Sequence, residues 1–355
     1  MSPLKKVLGT RTLLCCAVIS LSLASHADMK AAASENPNTI DEVLSWLPAD
    51  TETVTVANGP FWMSDFGFSE TEQKDPLNSA QILEKAFQSL TLGLFGFKKS
   101  NLAQNLERQK VVLAIEGSRH FRSAQGLGEL PYEGCAIAVF ADDLGVRSAS
   151  FIRDTVKVAS RSEQIEGQNV VVFQDKLEED LWTVFVAFPK KNVVIVAADE
   201  GFLREVLKRI QGHAGARALP DTLPEWKYVN KKSQFWGLRH FDNSQFAKRD
   251  PTSPFGGRKT ANMQDEQAIG LSFVCDPGKE RSATITYLSG NPSILTEIKE
   301  QFFPTEAETG IKDLNIRYRS IGPAAVQGSF DLSKSDSLGI FLFVVMMRLG
   351  HGVYV

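Results

Sequence analysis

Several things are scarce in this sequence. It holds 4 Cys in 355 residues, and two of them, Cys15 and Cys16, fall within the first 27 positions. A small scaffold stapled by many disulfides is excluded. No charge sign dominates: 39 Lys and Arg stand against 42 Asp and Glu, a formal net charge of −3. Without a basic footprint, no nucleic acid partner is expected. Long hydrophobic runs are also missing. Leu13–Ala24 and Leu338–Met347 are the two candidates, and both fall short of the about 20 apolar residues that cross a bilayer as a helix. No transmembrane segment is expected in the mature chain.

Catalytic signatures are equally thin. The sequence has no Gly-x-Ser-x-Gly elbow, no His-Glu-x-x-His, no Cys-x-x-Cys and no phosphate-binding loop. Gly126-Leu127-Gly128 begins like a dinucleotide loop, but Pro131 stands where a third glycine belongs. Glu178-Glu179-Asp180 reads as a solvated turn, because no further carboxylates follow at cation-ligand spacing. No cofactor and no metal are expected.

What the sequence does carry begins with export. Lys5, Lys6 and Arg11 precede the short apolar run, and Ser25-His26-Ala27 is a small-x-small cleavage site. Residues 1–27 therefore read as a signal peptide and the mature protein as periplasmic or extracellular. Cleavage after Ala27 removes three cations and no anions, taking the formal charge from −3 to −6. It leaves Cys135 and Cys275, which in an oxidising compartment form a possible disulfide or remain two buried thiols. The Leu47-Pro48-Ala49-Asp50-Thr51 opening that follows resembles exported bacterial proteins of unknown function, a likeness of a few residues that implies no activity.

Hydrophobic patterning predicts an α+β fold: two β-rich lobes with flanking helices. Residues 28–46 read as a mobile leader and short helix, 47–211 as a first lobe, 212–224 as a linker and 225–355 as a second lobe. Helices are expected over about 78–91, 102–108, 201–210, 292–302 and 336–349. Strands are expected at 53–57, 111–115, 136–140, 148–152, 169–173, 182–188, 193–198, 235–238, 269–275, 282–288, 316–319 and 325–332. Pro189-Lys190-Lys191-Asn192 and Asp276-Pro277-Gly278-Lys279 mark hairpin turns. The aromatic stretch Phe61–Phe68 reads as packing or as an exposed patch.

One pattern recurs. Gly117-Ser118-Arg119-His120-Phe121 and Gly237-Leu238-Arg239-His240-Phe241 both read Gly-x-Arg-His-Phe. Each ends an expected strand, and each is followed by a loop, an apolar strand, a turn and a Ser-Ala pair. The order suggests an internal duplication. Arg119, His120, Arg239 and His240 are accordingly the candidate ligand-binding residues. Two arginines suit an anion and two imidazoles a metal, while pairing with carboxylates inside each lobe is the structural alternative.

The function most consistent with these features is an exported, non-enzymatic protein that binds an unknown small ligand or envelope protein through an inter-lobe cleft. Two alternatives stand beside it. One is an exported hydrolase-type enzyme using His120 or His240 as general base, and the other is a structural envelope component.

Overall fold

The computed structural model describes residues 37–62, 110–120, 132–144, 161–177, 180–197, 199–213, 215–240, 270–276, 281–290, 295–296, 317–332 and 341. The chain divides into two compact units, Met1–Leu219 and Pro220–Val355. The expected signal peptide, the strand expected at 148–152, the helices expected at 78–91 and 102–108, most of those expected at 292–302 and 336–349, and residues 63–68 of the aromatic stretch lie outside the described residues.

In the first unit, helix α1 spans Pro37–Trp46. Strand β1 (Thr53–Trp62) pairs with β2 (Lys110–His120), and β2 with β3 (Tyr132–Phe140). β4 (Arg161–Ile165), β5 (Gln168–Leu177), β6 (Asp180–Lys190) and β7 (Val193–Ala197) follow, and then helix α2 (Glu200–Ile210). Strand order is β1-β2-β3-β7-β6-β5-β4, and every pair is antiparallel.

The reasons are local. β4 and β5 join through Glu166-Gly167, both at positive φ (49° and 70°), the backbone a two-residue hairpin turn requires. Asp199 caps α2 by accepting from the Phe202 N–H at 2.7 Å. α2 buries Phe202, Leu203, Val206 and Leu207, spaced as one helical face. Val54, Val56, Ile115, Ile137, Val186 and Ile195 supply sheet residues to the core, with Val43, Leu44 and Leu47 from α1 and its exit.

In the second unit, a 3-10 helix (Pro224–Tyr228) precedes β8 (Phe235–His240), β9 (Gly270–Asp276), β10 (Ser282–Leu288), β11 (Arg317–Ser320) and β12 (Ala325–Asp331). Strand order is β11-β12-β10-β9-β8, again all antiparallel. Registered partners share a sheet face, and neighbours along a strand alternate faces. One face therefore gathers Phe235, Phe273, Cys275, Ile285 and Phe330, with Phe341 edge-on to Phe273 and Phe330. The opposite face gathers Trp236, Leu238, His240, Gly270, Ser272 and Thr286, and then Gln327 and Arg319.

The architecture corrects the α+β expectation with its flanking helices. The described residues form twelve antiparallel strands and only two α-helices, so the protein is mostly β. Strands run on through residues that punctuate a sequence. β1 continues past Asn58-Gly59-Pro60 because the register shifts between Asn58 and Phe61, and a bulge absorbs a residue that has no N–H to give. β4 is polar and carries no apolar alternation, yet it pairs fully with β5. The two hairpins expected from their turn signals form, as β6–β7 and β9–β10.

The two Gly-x-Arg-His segments both end strands with an antiparallel return, β2 to β3 and β8 to β9. Their registers differ: Gly117 faces Cys135, whereas Gly237 faces Phe273. Beyond the return strand the neighbours also differ, β7 beside β3 and β10 beside β9.

Candidate functional site

Arg119 leaves β2 on the face that meets α2, and its side chain is nearly buried. Three carboxylates from three separate places converge on it. Its Nε donates to Glu133 Oε2 at 2.6 Å, its Nη1 to Asp50 Oδ1 at 2.7 Å and its Nη2 to Glu205 Oε1 at 2.9 Å. Glu133 is its register partner on β3, Asp50 follows α1, and Glu205 lies on α2. The guanidinium carbon also stands 5.2 Å from the Phe202 ring centroid. Burial acts to lower the Arg119 pKa, but the hydrogen bonds from Glu205, Asp50 and Glu133 together raise it above the ordinary arginine value. Its donors are directed at internal carboxylates, so Arg119 ties α1's exit, β2, β3 and α2 together. His120 stands opposite Tyr132 at the strand end, and its side chain lies outside the described residues.

Arg239 and His240 occupy the same sequence position in the second unit and meet different surroundings. Arg239 is fully buried on the apolar face, in the row with Leu271 and Tyr287. His240 projects from the other face, about a quarter exposed, and its Nδ1 is 2.9 Å from Glu225 Oε1. Glu225 is 1% exposed and sits in the 3-10 helix laid over this end of the sheet. The close approach depends on Gly270, the register partner of His240: a Cβ there would collide with the Glu225 carboxylate. Glycine is what lets a charged side chain lie directly on the β9 backbone. Trp226, beside Glu225, packs edge-on against Trp236 at 5.8 Å between centroids.

A carboxylate on one imidazole nitrogen fixes the ring's orientation. Such an arrangement is able to hold a polar ligand or to support acid–base chemistry. Among the described residues no group of three or more His, Cys, Asp or Glu is placed to hold a metal.

Cys135 and Cys275 are both free and buried. Cys135 lies in β3 of the first unit and Cys275 in β9 of the second. Burial drives both thiols well above the ordinary thiol range, helped by Glu116 for Cys135 and by Asp276 for Cys275. A thiol held neutral is a poor nucleophile, so both act as core residues.

Glu225, Glu133 and Glu205 were not singled out by the sequence. Glu133 lies three residues before the strand expected at 136–140, and enters the ladder because β3 begins at Tyr132. Glu225 carried no signal, because Pro224-Glu225-Trp226 has neither strand nor helix periodicity, and its partner lies 15 residues on.

No family profile matches the chain, and no curated protein does. Among solved structures, "Structure of crystal form I of TP0453" is similar over 85% of this chain and 96% of that one, at 10% identity and a TM-score of 0.39. At that score the likeness fixes neither the fold nor the function of this chain.

Proposed function

We propose that the protein is exported and acts as a non-enzymatic binding protein, contacting a small ligand or an envelope partner within its second unit at Glu225 and His240. Residues 1–27 support export, and no described helix is long and apolar enough to cross a membrane. The observation that carries the binding reading is the buried Glu225 carboxylate against a partly exposed His240. A buried charge is costly unless paired, and this one is held at a place that solvent reaches through the imidazole.

The test is native mass spectrometry of mature protein purified from the envelope fraction, with N-terminal sequencing. The expected result is a chain beginning near Asp28 that carries a bound mass, which Glu225→Gln fails to retain while keeping its circular dichroism. A chain starting at Met1 in exported material counts against export. A Glu225→Gln variant that retains the same bound mass counts against the site.

One observation favours a second reading. Nδ1 against a carboxylate is the orientation that prepares a histidine as general base, as in an exported hydrolase-type enzyme. Hydrolysis of simple esters that His240→Ala abolishes would support it over the binding reading.

A further inference from the structure

We propose that β11 is a docking edge for a segment of a partner protein, an extended acidic peptide that joins the second sheet as an added antiparallel strand. The proposal goes beyond the Glu225–His240 reading and does not rest on it.

The backbone carries the first part of the argument. β11 is an outermost strand, and among the described residues β12 is the one strand beside it. Arg317, Arg319 and Ser320 are exposed, and Tyr318 is half-buried. The Ile321 N–H donates to the Ala325 C=O at 2.9 Å, which makes that pair a hydrogen-bonded one. In an antiparallel ladder such pairs alternate with unbonded ones. Arg317 and Arg319 therefore turn their N–H and C=O groups to β12, and Tyr318 and Ser320 turn theirs to the open edge. Those two N–H and two C=O groups are the template on which a peptide strand joins a sheet.

The charges carry the second part. Arg317 and Arg319 share one sheet face, about 7 Å apart along the strand. Arg319 donates from Nε and Nη2 to the neutral Gln327 Oε1, at 3.2 and 2.8 Å, and Gln327 Nε2 donates on to Thr286 Oγ1 at 3.1 Å. This guanidinium is positioned but not neutralised. Arg317 stands opposite Ser329, and among the described residues neither arginine has an ion-pair partner. Asp331, two residues beyond Ser329 on β12, shares the face without pairing with Arg317. The edge strand of the first unit differs: on β4, Arg161 meets Glu163 of the same strand at 3.4 Å. β11 keeps two unanswered cations in a chain of formal net charge −3.

Together they select the occupant. On the open side, Arg317 and Arg319 fall at unbonded positions, where facing α-carbons come within about 4.5 Å and side chains lie closest. Carboxylates at alternate residues of an incoming strand then stand opposite both guanidiniums, a favourable cross-strand pairing. The residue between them falls on the Tyr318 side of the sheet and suits an apolar side chain. The recognised pattern is acidic–apolar–acidic. A second copy of β11 sets arginine against arginine, which is unfavourable. An anionic glycan brings the charge but no row of amides to answer Tyr318 and Ser320.

The experiment titrates purified protein into the fluorescein-labelled peptide Thr-Val-Glu-Val-Glu-Val-Thr and follows fluorescence anisotropy. Thr-Val-Gln-Val-Gln-Val-Thr removes the charges, and N-methylation of the central valine removes the amide that faces Tyr318. The variants are Arg317→Gln, Arg319→Gln, their combination, and Ser320→Pro, which takes away an outward N–H while leaving the β12 ladder intact. Circular dichroism establishes that each is folded. We expect saturable binding of the glutamate peptide, about threefold weaker in each arginine variant and lost on N-methylation or in Ser320→Pro. No saturable binding overturns the proposal, and so does a folded double arginine variant that binds as tightly as the parent. Equal binding of the N-methylated peptide means general anion attraction and overturns the added strand. Self-association of the protein that Ser320→Pro abolishes overturns the choice of partner in favour of a second copy.

Discussion

The two Gly-x-Arg-His segments show how little a shared motif decides about the fate of its charges. Arg119 and Arg239 both sit second from last in a strand, and both strands return antiparallel. Yet Arg119 faces Glu133 across the ladder, while Arg239 faces Leu271. In the first unit the arginine collects three carboxylates and braces four segments. In the second, the arginine is absorbed into the apolar side of the sheet, and it is the histidine that meets a buried carboxylate. The two registers differ, and with them the side chain that stands opposite each arginine. The Arg119 guanidinium is met by three carboxylates, whereas the Glu225 carboxylate meets one imidazole.

That contrast predicts the largest effect at Arg119. Arg119→Leu strands Asp50, Glu133 and Glu205 and is expected to cost about 3 kcal/mol, the lower end for removing one partner of a buried ion pair, since Asp50 and Glu205 are partly exposed. Urea unfolding reads the loss, and hydrogen exchange should show it in β1–β3 and α2. A variant as stable as the parent would mean the cluster only decorates the surface.

Gly270→Ala comes next, at about 2 kcal/mol of overpacking, because the new methyl meets the Glu225 carboxylate. Glu225→Ala in the same chain should relieve part of that cost. A double-mutant cycle with no coupling would separate Glu225 from Gly270 and weaken the second site. Asp199→Ala, which removes the α2 cap, is expected to cost about 1 kcal/mol and to raise exchange at the start of α2 without touching β8–β10.

The smallest effect is alkaline. The folded pKa values of Cys135, Cys275 and Tyr318 are all raised, chiefly by burial. Groups raised in the fold contribute stability below their unfolded pKa values and lose it as pH rises. Urea midpoints should hold between pH 6 and about pH 8, then fall from about 8.5 upward as unfolded thiols ionise, and further from about 10 as unfolded tyrosine does. Cys275 and Tyr318 belong to the second unit and Cys135 to the first. Exchange in β9–β10 should therefore rise more steeply with alkali than in β2–β3. Thiol reagents at pH 8 should label neither cysteine until the chain is denatured.

The strands were legible wherever apolar residues cluster. Ala136–Phe140, Trp182–Phe188, Ser282–Leu288 and Ala325–Leu332 all read correctly as strands, because buried sheet residues leave a compositional mark. β4 was not legible, since Arg161–Gln164 gain their strand geometry from the ladder to β5 rather than from side chains. Nor was the reach of β1, whose turn signal becomes a bulge. The balance of helix and strand was misjudged for that reason: ladder bonds extend a strand through residues whose local preference is neutral.

Sequence by itself determined the two hairpin turns, the helix near 201–210 and most of the apolar strands. Each depends on residues close along the chain or on a period that local geometry imposes. Only the tertiary structure decided that Arg119 answers to Asp50, 69 residues away, and to Glu205, 86 residues away. It alone laid Glu225 on Gly270 beside His240. Charge pairing acts through space over a few ångströms, and nothing in the order of residues records which segments the fold will bring that close.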